Sequence, residues 1–144
     1  MTAKREFMTR VSAAQASFDR FDGVAFRWSS NDCVRLAAFT LRKMGHKPAL
    51  PKAGAYGSLL GARKALAAAG FDSLEAALDA MGLERIAPAA ALPADIVALP
   101  GEGGWPALTV AIGNGRVLGF MGGRGGVMQP RDYVCAWRVP CLKS

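Results

Sequence analysis

The apolar residues of this 144-residue chain change their spacing near residue 86, and the change limits the folds that the chain can adopt. Before that point, apolar residues recur at the spacing of helix faces. After it come short apolar runs such as 95–99 and 108–112, which are typical of strands. The sequence therefore predicts an α+β fold, in which N-terminal helices are followed by a small antiparallel β-sheet of three or four strands.

The helical spacing predicts four helices, over residues 8–21, 33–44, 58–69 and 73–81. A glycine follows each of the four patterns, as is common where helices end. The second helix begins behind the run Ser29-Ser30-Asn31-Asp32, whose side-chain oxygens are suited to capping. We expect the Ala37–Leu41 face of this helix to pack against the sheet.

The strand-like runs predict strands at 95–99, 108–112, 116–120 and 133–139. Gly113-Asn114-Gly115 separates the second run from the third and predicts a hairpin turn there. The glycine-rich stretch 121–126 predicts a flexible loop. It is too irregular for a phosphate-binding turn, because no helix pattern follows it.

Composition and charge narrow the function classes. With 51% apolar residues, the chain predicts one domain over residues 1–144. No apolar stretch approaches the roughly 18 residues of a membrane span, and the N-terminus does not resemble a secretory signal, so we expect a cytoplasmic product. The net charge of +7 is spread along the chain, without a long basic run, which predicts no dedicated nucleic-acid site.

Three cysteines predict free thiols in a reducing compartment, not a disulfide framework. Cys135 and Cys141 have neither the spacing nor the neighbouring histidine of a zinc site, and the chain supplies no fourth ligand for an iron–sulfur cluster. We predict no metal and no cofactor.

Cys33 follows Asn31 and Asp32 at the predicted start of the second helix, where backbone N–H groups favour a thiolate. Cysteine nucleophiles are usually placed this way, and Asp32 is then a second candidate catalytic residue. The structural alternative is that Cys33 is a small buried apolar residue and Asp32 a helix cap. The one histidine, His46, lies beyond the far end of a helix roughly 18 Å long. We therefore expect no imidazole within about 4 Å of the thiol.

The order of these features resembles the NlpC-type cell-wall peptidases, a compact branch of the papain-like thiol hydrolases. The resemblance lies in Trp28-x-x-x-Asp32-Cys33, the strand start Asp95-Ile96-Val97 and the turn Gly113-Asn114-Gly115. About residues 7 to 139 are also similar to a family of small tail proteins of tailed bacteriophages and prophages. The motifs of that second likeness are Trp28 before Asp32-Cys33, Gly45-His46-Lys47-Pro48, Tyr56 with Gly61-Ala62-Arg63, Gly70 to Leu74, and Ala136-Trp137-Arg138-Val139.

The resemblance implies a single NlpC-like domain that has lost catalysis. Active members carry a histidine before the hairpin and a second polar residue after it. Aligning the hairpin turns brings these positions onto Ala107 and Gly119, and neither residue can act as a base.

Two functions follow from the resemblance. The first is a structural or adaptor component of a phage tail tip, assembled in the host cytoplasm and docked on other tail-tip or hub proteins in the virion. The second is a cysteine peptidase or amidase that acts on peptidoglycan during genome delivery. The candidate docking residues are Trp105, in the segment 101–106, and Arg124, in the segment 121–128. Because both are predicted on loops at one end of the sheet, we expect their replacement by alanine to leave the fold intact.

Overall fold

The computed structural model describes residues 2–52 and 54–143, and in this part of the chain four helices precede the sheet. They are α1 (Ala3–Phe21), α2 (Cys33–Lys43), α3 (Leu59–Ala68) and α4 (Leu74–Ala80). Each helix is preceded by an N-cap residue whose side chain accepts a hydrogen bond from a backbone N–H of the first turn. The four caps are Thr2, Asp32, Ser58 and Ser73. All four predicted helices are confirmed, but α1 begins earlier than predicted because Thr2 caps it. None of the described helices is long and apolar enough to cross a membrane.

The second half of the described chain forms one six-stranded antiparallel sheet, which confirms the predicted α+β fold. The strands are β1 (Glu84–Ile86), β2 (Ile96–Leu99), β3 (Ala107–Gly113), β4 (Arg116–Met121), β5 (Arg124–Met128) and β6 (Cys135–Arg138). Their order across the sheet is β1-β6-β2-β3-β4-β5. The predicted hairpin joins β3 to β4, and the C-terminal strand β6 lies between β1 and β2.

Two strands lie outside the sequence prediction, and both are at an edge of the sheet. β1 has only three residues and no buried face, so it lacks an alternating pattern. The segment 121–126, which we predicted as a flexible loop, belongs instead to the end of β4, a two-residue turn and the start of β5, so that prediction is wrong. The glycines there serve close backbone approach, because Gly125 exchanges two backbone hydrogen bonds with Gly23 and Val24. A Cβ on Gly125 would overlap the Phe21 carbonyl oxygen.

The main core lies between the helices and one face of the sheet. Ala37 and Leu41 of α2 are fully buried in one cluster with Leu108, Val110 and Leu118 of β3 and β4. This confirms that α2 packs its Ala37–Leu41 face on the sheet. A smaller apolar cluster covers the opposite face, and it consists of Val97, Leu99, Ala111, Val117 and Ala136. Alternate residues of each strand thus enter different clusters.

A buried ionic cluster ties the two ends of the chain to the sheet. The carboxylate of Asp95, directly before β2, accepts hydrogen bonds from Arg10 of α1 at 3.0 Å and Arg138 of β6 at 2.8 Å. It also accepts the backbone N–H groups of Leu92 and Val139 at 2.9 and 2.8 Å. Arg10 in turn donates to the Val139 carbonyl oxygen at 2.7 Å. Four donors therefore satisfy one buried carboxylate, as burial of a charge requires.

Candidate functional site

Asp32 is buried at the start of α2 and acts as the N-cap of that helix. One carboxylate oxygen accepts the Arg35 N–H at 2.9 Å. The other accepts the Ser29 N–H at 2.7 Å and the Tyr56 hydroxyl at 2.6 Å. These three donors hold both oxygens of Asp32. The structure therefore gives Asp32 the structural role that the sequence left open beside the catalytic one.

Cys33 is the first residue of α2 and is partly buried, with its Sγ 4.0 Å from the Pro106 carbonyl oxygen. The pKa of the thiol is raised to about 11, mainly by burial and to a lesser extent by the neighbouring carboxylate of Asp32. The N–H groups of Leu108 and of the first turn of α2 lower the pKa, but they do not compensate for burial. The N–H groups at the helix start favour the thiolate, as predicted, but desolvation of the thiol outweighs them and the net shift is upward.

His46 lies at the opposite end of α2 from Cys33. Its Nε2 is 2.6 Å from the Pro140 carbonyl oxygen, beyond the C-terminal residue of the helix. An 11-residue helix separates the two side chains by about 15 Å along its axis. Since the sequence has only one histidine, no imidazole reaches the thiol, as predicted.

Cys33 opens onto an aromatic cleft of about 570 Å³, which we call the cysteine cleft. The aromatic residues that line it are Phe26, Trp28, Trp105 and Phe120. Phe26 contacts both Trp28 and Phe120 edge to face, with ring centroids 5.0 and 5.7 Å apart. Glu102 is the charged residue among the lining residues. The cleft therefore offers a surface for apolar or aromatic groups and few polar groups for chemistry.

The two positions that the resemblance assigns to the histidine and to its polar partner lie on the sheet face away from α2. Ala107 packs against the smaller apolar cluster and also lines the cysteine cleft together with Cys33. A side chain at Gly119 would begin 2.6 Å from the Cγ2 of Thr109, on that same face. The alignment that places the histidine position at Ala107 counts residues back from the hairpin turn, and a bulge between Ala111 and Gly113 lies within that count. A change of one residue in the count moves the position to the opposite face of the sheet.

The structure buries Trp105 and places Arg124 in a strand. Trp105 is only 9% exposed, and its indole borders the cysteine cleft, so an alanine at this position would leave a cavity. Arg124 is exposed but begins β5, and its Nη1 donates to the Gly23 carbonyl oxygen at 2.6 Å. Trp105 lies on the irregular segment before β3, as predicted, but Arg124 is a strand residue, so the loop prediction is wrong for Arg124. The two segments do meet, because Gly122 and Gly123 line the cleft together with Trp105.

Sequence reasoning missed the aromatic wall and the role of Tyr56 at the site. Phe26 and Trp28 are two residues apart in an extended segment, and this spacing was a usable signal that both side chains share one side. Tyr56 comes from the loop before α3, and burial together with its bond to Asp32 raises the pKa of its hydroxyl. No local pattern links that loop to the start of α2.

The described residues offer little other chemistry. Cys33, Cys135 and Cys141 are all free thiols. Within residues 2–52 and 54–143, no three or more histidine, cysteine, aspartate or glutamate side chains form a group that could hold a metal ion. The candidate site therefore consists of the cysteine cleft, which Cys33 lines, and the neighbouring buried carboxylate of Asp32.

Comparison with known proteins gives a family but no activity. No curated protein matches the chain. One family, described as a domain of unknown function, has a sequence pattern that matches residues 6–139, which is nearly the whole chain. The chain therefore belongs to this family of domains of unknown function, DUF6950.

Proposed function

We propose that the chain is a non-hydrolytic adaptor domain of a phage tail tip, related to the NlpC-type peptidases but without a working thiol. The observation that carries the proposal is the state of Cys33. Burial raises the pKa of its thiol to about 11, so the thiol is mainly protonated at neutral pH. The thiolate is the nucleophilic form, so this environment opposes nucleophilic attack.

The groups that would assist the thiol are also engaged elsewhere. Acid and base assistance contributes about 10²–10⁴-fold in hydrolases, and amide cleavage requires a proton for the leaving amine. His46 is bound at the far end of α2, and both oxygens of Asp32 accept structural hydrogen bonds. The cleft thus has a shape that suits binding, and the described residues that line it include one carboxylate, Glu102, and no imidazole to assist the thiol.

The tail-tip assignment is supported by the sequence resemblance over about residues 7 to 139. A docking surface is supported by the hairpin between β4 and β5, at the mouth of the cysteine cleft. Met121 is 61% exposed there, next to Gly122 and Gly123 of the cleft wall and close in sequence to the exposed Arg124. An exposed methionine and arginine on one hairpin are typical of protein interfaces. We propose that other tail-tip or hub proteins contact this hairpin.

The second candidate is the cysteine peptidase or amidase that acts on peptidoglycan. It is favoured by the position of Cys33, at a helix start and inside a cleft of about 570 Å³. Incubation of the purified protein with cell-wall sacculi separates the two functions. The adaptor proposal expects the same release of peptide fragments from wild type and from Cys33→Ala. Release that depends on Cys33 would establish the hydrolase instead.

Tail incorporation tests the adaptor role directly. Mass spectrometry of tails purified from the phage that encodes this chain should detect the chain in the particle. Met121→Ser should reduce incorporation, whereas Met8→Ser should not, because Met8 is 58% exposed on α1, away from the cleft. Equal incorporation of both variants would show that the docking surface is not the hairpin between β4 and β5. Tails that lack the chain would refute the assignment.

A further inference from the structure

An exposed apolar stripe runs along the outer side of α1, and none of its residues lines the cysteine cleft. Residues 4, 7, 11, 15, 18 and 22 recur at intervals of three or four, so they share one side of the helix. Three of them are large and apolar, namely Phe7, Val11 and Phe18. Phe7 and Val11 are 48% and 41% exposed. We call these six residues the α1 stripe.

A groove of about 240 Å³ continues the α1 stripe towards the sheet. Val11 and Phe18 line it from α1, and Pro93 and Ile112 line it from the side of the sheet. Phe7 does not line this groove, although it belongs to the same stripe. The stripe therefore presents an exposed aromatic ring near its N-terminal end and an apolar groove nearer its C-terminal end.

The charged residues of the α1 stripe are Lys4 and Asp22, which lie at its two ends, about 27 Å apart along the helix axis. Neither forms an ion pair with another described residue. Each has the sign that its end of the helix disfavours, because a helix is positive at its N-terminus and negative at its C-terminus. A partner that brings a carboxylate to Lys4 and an ammonium group to Asp22 offsets both effects.

The α1 stripe is nearly complementary to itself when it is read in reverse. In chain order it consists of a lysine, a phenylalanine, a valine, a glutamine, a phenylalanine and an aspartate. An antiparallel second copy places its Asp22 opposite Lys4 and its Phe18 opposite Phe7. A parallel copy instead places like charges together at both ends. The order of charges and rings therefore favours an antiparallel second copy as the occupant.

We propose that the chain forms a two-fold symmetric dimer through antiparallel contact of two α1 stripes. Phe7 of each copy enters the groove of the other copy beside Phe18, and two ion pairs between Lys4 and Asp22 form at the ends of the contact. A two-fold axis closes such an interface, so no further copy is added. The inference does not depend on the adaptor function, because it uses neither the cysteine cleft nor the hairpin between β4 and β5.

Sedimentation equilibrium of the full chain tests the dimer. We expect a monomer–dimer equilibrium in wild type, and a chain that is still monomeric at about 1 mM would overturn the proposal. Val11→Asp places a charge in the centre of the contact and should raise the dissociation constant by more than about tenfold. Ser12→Asp is the matched control, because Ser12 is exposed and lines a different cavity, beside Lys43. Equal dissociation constants for the two variants would refute the α1 stripe as the interface.

Charge reversal tests the antiparallel direction. Lys4→Glu or Asp22→Lys alone brings like charges together at both ends of the symmetric contact, and should raise the dissociation constant about tenfold at low ionic strength. The double variant restores opposite charges and should bind within about threefold of wild type. Each substitution has the sign that its helix end favours, so a weaker dimer does not reflect a lost helix. A double variant no tighter than the single variants would refute the antiparallel pairing.

Cross-linking of wild type identifies the contact without any variant. A carbodiimide joins an amine to a carboxylate without a spacer, so it reports ion pairs. Lys4 and Asp22 of one copy are about 27 Å apart, and a peptide that joins them can therefore come only from two copies. We expect this peptide after digestion of the cross-linked dimer. A dimer that is cross-linked only at other residues would overturn the proposal, and this result stands even if a variant does not fold.

Discussion

Asp32 and Asp95 are both buried carboxylates directly before a secondary-structure element, but they have different partners. Asp95 has two guanidinium groups, from Arg10 and Arg138, in addition to two backbone N–H groups. Asp32 has only neutral donors, which are two backbone N–H groups and the hydroxyl of Tyr56. Two cationic side chains thus hold the first carboxylate, whereas only neutral dipoles hold the second.

The difference shows that a buried aspartate can either link distant elements of the fold or shift the pKa of a neighbouring group. Asp95 links α1, β2 and β6, which are far apart in sequence. The charge of Asp32, in contrast, contributes to raising the pKa of both the Cys33 thiol and the Tyr56 hydroxyl. The same carboxylate that caps α2 therefore helps to keep the thiol protonated. A charged cap at residue 32 therefore disfavours a thiolate at Cys33.

The largest effect is expected where the ion pairs are buried. Asp95→Ala removes four hydrogen bonds and leaves the guanidinium of Arg10, which is 3% exposed, without its main partner. We expect a loss of about 3–5 kcal/mol in the free energy of unfolding, measured with urea. Glu6→Ala is the control, because Glu6 contacts Arg10 at only 4.0 Å and is 45% exposed. Similar losses in the two variants would contradict the central role of Asp95.

The pH dependence of stability tests the surroundings of Asp32 through the neighbouring thiol of Cys33. The pKa of Cys33 is about 11 in the folded chain against an ordinary value of 9.0. The unfolded chain therefore loses this proton first as pH rises, so the contribution of Cys33 is complete below pH 9 and is lost towards pH 11. Its full size is about 2–3 kcal/mol. Urea unfolding of wild type and Cys33→Ala should show curves that converge or cross over this range, and parallel curves would contradict the raised pKa.

The comparison also shows which features could be predicted from sequence. Helix caps and glycine stops are local, so the four helices and the start of α2 behind Asp32 were predictable. The strands that contribute to the core were also predictable, because their short apolar runs are a local signal in the sequence. The edge strands were not, because β1 exposes its residues and β5 owes its glycines to the distant Phe21 carbonyl.

The site was predictable only in part. The sequence placed Cys33 at a helix start and His46 beyond the far end of that helix, and both placements are confirmed. The protonation of the thiol was not predictable, because its main cause is burial, and the segment at Pro106 that lies beside the thiol is distant in sequence. The burial of Trp105 was missed for the same reason. Flanking glycines suggested a mobile loop, but tertiary packing decides the exposure of a large side chain.

A smaller effect is expected from removing the charge of Asp32 while keeping its size. Asn is nearly as good a cap as Asp, so Asp32→Asn should keep α2 but lose strength in its three hydrogen bonds, at about 2 kcal/mol. The Cys33 pKa should fall and remain above 9, because burial is its larger cause. Thiol titration in a background that lacks Cys135 and Cys141 measures this. The surface change Asp19→Asn is the control, and an unchanged Cys33 pKa in Asp32→Asn would remove Asp32 as a cause.

The smallest effect is expected from Tyr56→Phe. This variant measures how much the Tyr56 hydroxyl contributes to the stability of the fold, compared with the two backbone N–H groups that also donate to Asp32. The variant removes the hydroxyl that lies 2.6 Å from the carboxylate and keeps the ring in edge-to-face contact with Trp28, at 6.3 Å between centroids. Because the two backbone N–H groups remain, we expect a loss of about 1 kcal/mol in the free energy of unfolding. Tyr133→Phe, on a side chain that is 41% exposed, is the control and should change little. A loss as large as that of Asp32→Asn would mean that the phenol, not the helix N-terminus, is the main partner of Asp32.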